Sequence, residues 1–135
     1  MLNTFPELLN YAILGPTLLR LVLAFVLISV GIEMLRPTKR ALFAVYFSTK
    51  EYPLANFLPW KFGIAEIILG VFFLFGFFTQ VASLIAIYIL FALFYIENRA
   101  ERILPNTSAF YLVMIVIALS LLFTGAGAFA VDLPL

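Results

Sequence analysis

The stretch FGIAEIILGVFFLFGFFTQVASLIAIYILFALFYI, residues 62–96, decides the fold of this 135-residue chain. Its only strongly polar residues are Glu66 and Gln80. As one helix it would be about 50 Å long, whereas about 20 helical residues cross the hydrocarbon core of a membrane. We therefore expect a tight hairpin at GFFTQ, where Gly76 ends one membrane-spanning helix and Thr79 caps the next.

The composition is that of a membrane protein. Hydrophobic residues make up 65% of the chain, charged residues only 11%, and the mean hydropathy is +1.17. A soluble domain averages about 45–50% apolar and about 25% charged residues. The net charge of +1 offers no basic field for nucleic acid. Without cysteine or histidine, the chain alone cannot form a disulfide, an iron–sulfur cluster or an imidazole-ligated haem, and no metal site is expected.

Two further apolar runs complete the set of spans. We predict an all-α, integral membrane four-helix bundle that forms a single transmembrane domain over residues 1–135. A short interfacial N-terminal helix over residues 5–14 and a long amphipathic first loop over residues 36–61 accompany the bundle. The four predicted spans are residues 16–35, 62–77, 79–96 and 110–129.

The distribution of lysine and arginine predicts the orientation in the membrane. The loop 36–61 carries five basic residues and the loop 97–108 carries two, whereas the two termini and the hairpin carry none. Positive charge remains on the cytoplasmic side of a membrane. We therefore expect a multi-pass protein of the cell membrane with both loops in the cytoplasm and both termini outside.

Four ionisable residues lie in or beside the spans: Arg20, Glu33, Glu66 and Asp132. Placing a charge at the centre of a membrane helix costs at least about 2.5–3.5 kcal/mol, so each needs a partner, an escape to water or a function. Arg20 and Asp132 both fall near the outer surface, and a structural ion pair between them is predicted. In the alternative, Arg20 reaches the lipid headgroups by itself.

Glu66 lies deeper, about 7 Å inside the cytoplasmic face and about 16 Å from the level of Arg20. A direct bridge between these two residues is therefore not expected. Gly63 and Gly70 share the face of Glu66 and form a shallow groove, in which another helix can pack closely. The first span offers Gly31 at a similar depth, and we expect the three glycines to serve in helix packing.

Two interpretations of Glu66 stay open. In the structural one, its carboxyl group is an interhelical hydrogen-bonding group, and the Tyr88 and Tyr95 hydroxyls of the third span are its candidate partners. In the functional one, the carboxyl group faces a cavity and handles a proton or a polar ligand headgroup. Acids inside membranes favour the functional interpretation, whereas the absence of histidine and cysteine near this single acid argues against it.

Three motifs together resemble the DoxX family of small four-helix membrane proteins, which includes the DoxD-type subunit of thiosulfate:quinone oxidoreductase. They are LLRLVLAFVLISVGIEML, GIAEIILGVFFLFGFFTQVASLIA and FTGAGAFAVDLPL, and the likeness extends over about residues 17–132. The closing GAGAFAVD lacks the arginine and serine of the family's usual GPGRYSLD. The family-like positions are Arg20, Glu66, Gly70, Thr79 and Asp132.

The resemblance implies a membrane subunit of a quinone-linked respiratory oxidoreductase. In that role Glu66 is the candidate catalytic residue, as a proton acceptor or a contact of the quinone headgroup, and Arg20, Tyr88 and Tyr95 are candidate ligand contacts. The chain has no self-contained catalytic motif, so a metal or flavin would come from a partner subunit. One alternative is a non-catalytic structural or assembly subunit of a larger respiratory complex, and another is a small transporter. Expected partners are membrane lipid and either other redox subunits or further copies of the chain.

Overall fold

A computed structural model describes residues 11–51, 53–99, 104, 106–127 and 130–131. These residues form five α-helices and no strand, so the prediction of an all-α fold is confirmed. The interfacial helix predicted for residues 5–14 lies mostly outside the described residues. The helices are α1 (Leu14–Leu35), α2 (Pro37–Thr49), α3 (Leu58–Phe75), α4 (Thr79–Arg99) and α5 (Ser108–Thr124).

Three of these helices are long and apolar enough to cross a membrane: α1, α3 and α4. The apolar helix α5 has 17 residues, about 25 Å of helix, and ends at Thr124 rather than at residue 129. It stops there because Gly125 leaves the helical conformation with a φ of 77°. Large apolar side chains cover the outside of the described helices, as a lipid-facing surface requires.

The hairpin predicted at GFFTQ joins α3 to α4. Gly76 adopts the left-handed conformation with a φ of 65°, which glycine reaches without steric cost. The amide of Phe77 then donates to the carbonyl oxygen of Phe72 at 3.0 Å, and the amide of Gly76 donates to that of Phe73 at 3.3 Å. This pair of bonds satisfies carbonyl groups at the end of α3 and turns the chain directly into α4.

The long loop between the first two spans contains a helix of its own. Helix α2 begins at Pro37, which needs no hydrogen-bonded amide in the first turn. Its buried residues are Phe43 and Phe47, and the Phe47 ring stacks on Phe62 of α3 with centroids 6.4 Å apart. Aromatic packing therefore fixes α2 against the base of α3, which agrees with the amphipathic segment expected in this loop.

The helices associate as two close pairs. Helix α1 packs most extensively on α3, and α4 packs most extensively on α5. Smaller contacts of α1 with α5 and of α3 with α4 join the pairs into a bundle. Its core includes Leu23 and Leu27 of α1, Phe73 of α3, Leu93 of α4 and Leu121 of α5, each at most 1% exposed.

Glycines bring the backbones of α1 and α3 together. A Cβ atom placed on Gly31 would lie 2.7 Å from the Gly63 carbonyl oxygen, and one on Gly70 would lie 2.9 Å from the Ala24 carbonyl oxygen. Any side chain at these positions would clash with backbone. Because Gly31 faces Gly63 while Ala24 faces Gly70, the two helices run antiparallel. Gly31, Gly63 and Gly70 are the glycines that the sequence indicated for helix packing.

We expect Gly70→Ala to destabilise the bundle, because its methyl group would force α1 and α3 apart at the Ala24 carbonyl. The loss should be about 1–3 kcal/mol in the free energy of unfolding in detergent. Gly15→Ala is the matched control, since a Cβ atom there meets nothing within 4 Å. If Gly70→Ala unfolds no more readily than Gly15→Ala, the close approach of the two helices is wrong.

Candidate functional site

Glu66 lies halfway along α3 and is fully enclosed, with 0% of its side chain exposed. It belongs to the buried stripe of α3 that also contains Gly63, Leu69 and Gly70. Gly63 and Gly70 of this stripe come into close contact with α1. Glu66 therefore lies on the face of α3 that packs against α1.

Neither carboxyl oxygen of Glu66 has a hydrogen-bond partner among the described residues. A buried polar group without a hydrogen bond costs about 1–3 kcal/mol, and a buried charge costs more. The enclosed carboxyl group of Glu66 therefore lowers the stability of the bundle. This observation weakens the structural interpretation, in which Glu66 holds two helices together by hydrogen bonds.

Tyr111, in the first turn of α5, is the polar side chain that the bundle brings into the neighbourhood of Glu66. It is 0% exposed, and its hydroxyl group lies close enough to interact electrostatically with Glu66, Glu97 and Glu33. The side chain of Asn106 also interacts with this hydroxyl, but it does not meet the distance and angle of a hydrogen bond. We call Glu66 and Tyr111 the buried polar pair.

The carboxylate of Glu97 helps to position the start of α5. Its Oε2 accepts a hydrogen bond of 3.1 Å from the amide of Leu104, in the connection between α4 and α5. Leu104 is itself buried, so this connection folds against the end of the bundle. Glu97 is half-exposed near the end of α4, and it also interacts electrostatically with the Tyr111 hydroxyl.

The prediction that Tyr88 or Tyr95 donates to Glu66 is wrong. The Tyr88 side chain is 77% exposed and that of Tyr95 is 53% exposed, so both face outward from α4. Tyr95 instead packs under the guanidinium group of Arg99, 5.2 Å from its ring centroid. The physical reason is that Ala86, Ile89, Leu90 and Leu93 form the inner face of α4, and the two tyrosines lie on the opposite face.

Arg20 occupies the other end of the bundle. It is 2% exposed, and its Nη1 donates a hydrogen bond of 2.8 Å to the carbonyl oxygen of Ala126. The residues after α5 therefore fold back over the start of α1. The amide of Val131 continues this contact by donating to the carbonyl oxygen of Phe75 at 3.2 Å. Asp132 lies outside the described residues, and its ion pair with Arg20 stays a prediction.

The distance between Arg20 and Glu66 excludes a bridge between them. A Cβ atom placed on Gly76 would lie 2.5 Å from Arg20 Nη1, so Arg20 is level with the hairpin. Glu66 precedes Gly76 by ten residues of the same helix and turn, about 15 Å along the axis. The bundle therefore has polar groups at two separate levels, as the depths counted from the sequence suggested.

The sequence did not single out Tyr111, Glu97 and Asn106. Tyr111 is one of six tyrosines and lies near the end of an apolar run, where tyrosine is common for interfacial reasons. Its place in the first turn of α5, at about the depth that the sequence predicted for Glu66, was the available signal. The inward rotation of α5 that buries it depends on packing with α4.

Comparison with known proteins supports the resemblance found in the sequence. The profile of the DoxX family matches residues 15–98, more than half of the chain, from the start of α1 almost to the end of α4. The match contains Arg20, Glu66 and the packing glycines, and it ends before Tyr111. No curated protein and no solved structure matches the chain significantly.

We expect Glu66→Met to stabilise the isolated chain by about 1–3 kcal/mol in detergent unfolding, because an apolar side chain of similar volume replaces an enclosed carboxyl group that has no hydrogen-bond partner among the described residues. Arg20→Met is the contrasting variant. It should lower stability by about 1–3 kcal/mol, since it leaves the Ala126 carbonyl oxygen without its donor. If Glu66→Met destabilises the chain as strongly as Arg20→Met, Glu66 has a structural role.

Proposed function

The chain belongs to the DoxX family of membrane proteins, and we propose that it is the membrane subunit of a quinone-linked respiratory oxidoreductase. The observation that carries the proposal is the Glu66 carboxyl group, enclosed by the bundle with no hydrogen-bond partner among the described residues. An ionisable group kept inside a membrane bundle at a cost in stability indicates a function for that group. Proton transfer is the chemistry that a carboxyl group at this position offers.

The buried polar pair has the groups that a quinone headgroup requires. A quinone takes up two electrons and two protons to become a quinol, and its carbonyl oxygens accept hydrogen bonds. The Tyr111 hydroxyl is a donor, and the Glu66 carboxyl group can deliver a proton. Both side chains are fully enclosed in the isolated chain, so contact with a headgroup requires the helices to separate or a relay of the proton.

In this proposal the chain supplies protons and binding surface, while electrons come from a partner subunit. Glu97, near the end of α4, and Asn106, in the α4–α5 connection, both interact with the Tyr111 hydroxyl, and we propose that these polar groups carry protons from that end of the bundle toward Glu66. We assign Glu66 the role of proton donor, with replenishment through these groups. Arg20 is then a positioning residue that holds the segment after α5 and lies far from the reacting group.

A structural subunit is the second candidate, and the packing of α1 on α3 favours it. Backbone contact at Gly31, Gly63 and Gly70 leaves little space between these helices for a ligand. A chain with this role would fill an interface in a larger respiratory assembly and bind lipid there. Removing it would then disrupt assembly, whereas neutralising Glu66 would leave the rate unchanged.

We expect Glu66→Gln to lower the rate of quinone reduction by the intact complex about 100-fold, because the amide keeps the volume but cannot deliver a proton. Glu51→Gln is the matched control, since it makes the same change at an exposed position after α2 and outside the buried polar pair. The amount of assembled complex must be equal in both membranes. A Glu66→Gln complex with the full rate would contradict the catalytic role and favour the structural subunit.

We also propose that the loops 36–61 and 97–108 lie in the cytoplasm. Tyr111 interacts with Glu33 at the end of α1 and with Glu97 at the end of α4, which supports placing both loops at one end of the bundle. Arg20, Gly76 and Ala126 mark the opposite end. The basic residues are concentrated at the loop end, which is the cytoplasmic one by the positive-inside rule.

This orientation is directly testable because the chain contains no cysteine. We expect Phe77→Cys, in the exposed hairpin, to react with an impermeant maleimide in intact cells, because the hairpin lies outside. Lys50→Cys, exposed after α2, should react only after the membrane is permeabilised. If Lys50→Cys reacts in intact cells and Phe77→Cys reacts only after permeabilisation, the orientation of the chain is the reverse of the one proposed.

A further inference from the structure

A groove of about 450 Å³ opens between α2 and the beginning of α3, away from the buried polar pair. The helix α2 contributes one side and the start of α3, with the turn before it, contributes the other. Its lining combines a basic residue, a polar amide and an aromatic ring with small apolar residues. The lining residues are Pro37, Arg40, Ala41, Ala44, Asn56 and Trp60.

The cation in this groove is held in place. The guanidinium group of Arg40 lies over the ring of Trp60, 5.2 Å from its centroid. A cation stacked in this way loses little conformational freedom when it binds an anion. The N–H donors of its planar guanidinium group match the geometry of phosphate oxygens. Asn56 adds an amide that can donate to an oxygen acceptor.

The two walls of the groove are fixed to each other by aromatic packing. Phe43 is 0% exposed beneath α2, and Phe47 stacks on Phe62 of α3. Trp60 is the third residue of a membrane-spanning helix, so the groove lies at the level where the hydrocarbon core meets the headgroups. A ligand in the groove is therefore within reach of lipid.

The surrounding segment has a strong positive charge. Residues 36–61 contain five of the eight basic residues of the chain and a single acid, Glu51. Basic residues near a membrane surface attract anionic lipid, and basic pockets beside membrane helices bind lipid phosphate groups. Position and charge thus indicate the same class of ligand.

We propose that this groove binds the headgroup of an anionic phospholipid. Arg40 contacts the phosphate, Asn56 donates a further hydrogen bond, and the acyl chains lie along the outer surface of the bundle beside Trp60. The inference is independent of quinone chemistry, since it involves neither Glu66 nor Tyr111. Its natural ligand would be phosphatidylglycerol or another lipid with a net negative charge.

The only tryptophan of the chain lies in this groove, so its fluorescence reports on the site directly. The protein is placed in phosphatidylcholine nanodiscs that contain about one-tenth phosphatidylglycerol. Bromine atoms on the acyl chains quench the tryptophan fluorescence, and they are carried by phosphatidylcholine in one sample and by phosphatidylglycerol in the other. Quenching by brominated phosphatidylglycerol should show about fivefold enrichment over its mole fraction. Quenching in proportion to mole fraction would overturn the proposal.

Two variants separate a site from general attraction. Arg40→Gln should abolish the enrichment, whereas Lys50→Gln, which removes the same charge outside the groove, should retain it. Equal losses in both variants would mean a diffuse electrostatic effect and overturn the proposal. Each variant is compared with its own unbrominated sample, because Arg40 itself contacts the indole ring.

The last arm distinguishes a lipid from a soluble anion. Inorganic phosphate at millimolar concentration is added against chloride at equal ionic strength. Retention of the enrichment supports a lipid headgroup, because the acyl chains anchor it beside the groove. Displacement by inorganic phosphate alone would overturn the proposal in favour of a soluble phosphate ligand.

Discussion

The approach of α1 to α3 at glycine is the constraint on which the rest of the bundle depends. Lipid offers no hydrophobic drive for one apolar helix to bind another, so close packing has to hold them. Gly31, Gly63 and Gly70 provide it by letting backbone meet backbone. Glu66 is buried on the same face of α3, between Gly63 and Gly70 in the sequence. The packing glycines and the buried acid therefore share one face of α3.

The buried ionisable groups at the two levels of the bundle differ in their hydrogen bonding. Arg20 is bonded to the Ala126 carbonyl and ties down the segment after α5, so its polar group contributes to stability. Glu66 is equally enclosed but has no hydrogen-bond partner among the described residues. This contrast is why we assign function to Glu66 and a structural role to Arg20.

Much of this architecture could be predicted from the sequence, because it depends on local features. These are the length of each apolar run, the glycine in the hairpin and the small residues at the helix contacts. Gly76 and the antiparallel helices follow from such rules, as does the separation of Arg20 from Glu66 by depth. The rotation of each helix about its axis could not be predicted in this way. An apolar helix in lipid has no polar face to show its orientation, so the sequence indicated Tyr88 and Tyr95 and did not indicate Tyr111. Only packing between α4 and α5 places Tyr111 inside and the other two outside.

The most direct test of the proposed role is purification of the protein from its own membranes in mild detergent, with mass spectrometry of everything that accompanies it. Our account predicts that subunits with redox centres accompany the chain in fixed proportion, together with a quinone. A homo-oligomer that carries phospholipid alone would contradict it. The groove beside Arg40 would still explain the lipid, but the enclosed carboxyl group of Glu66 would need a function outside quinone chemistry.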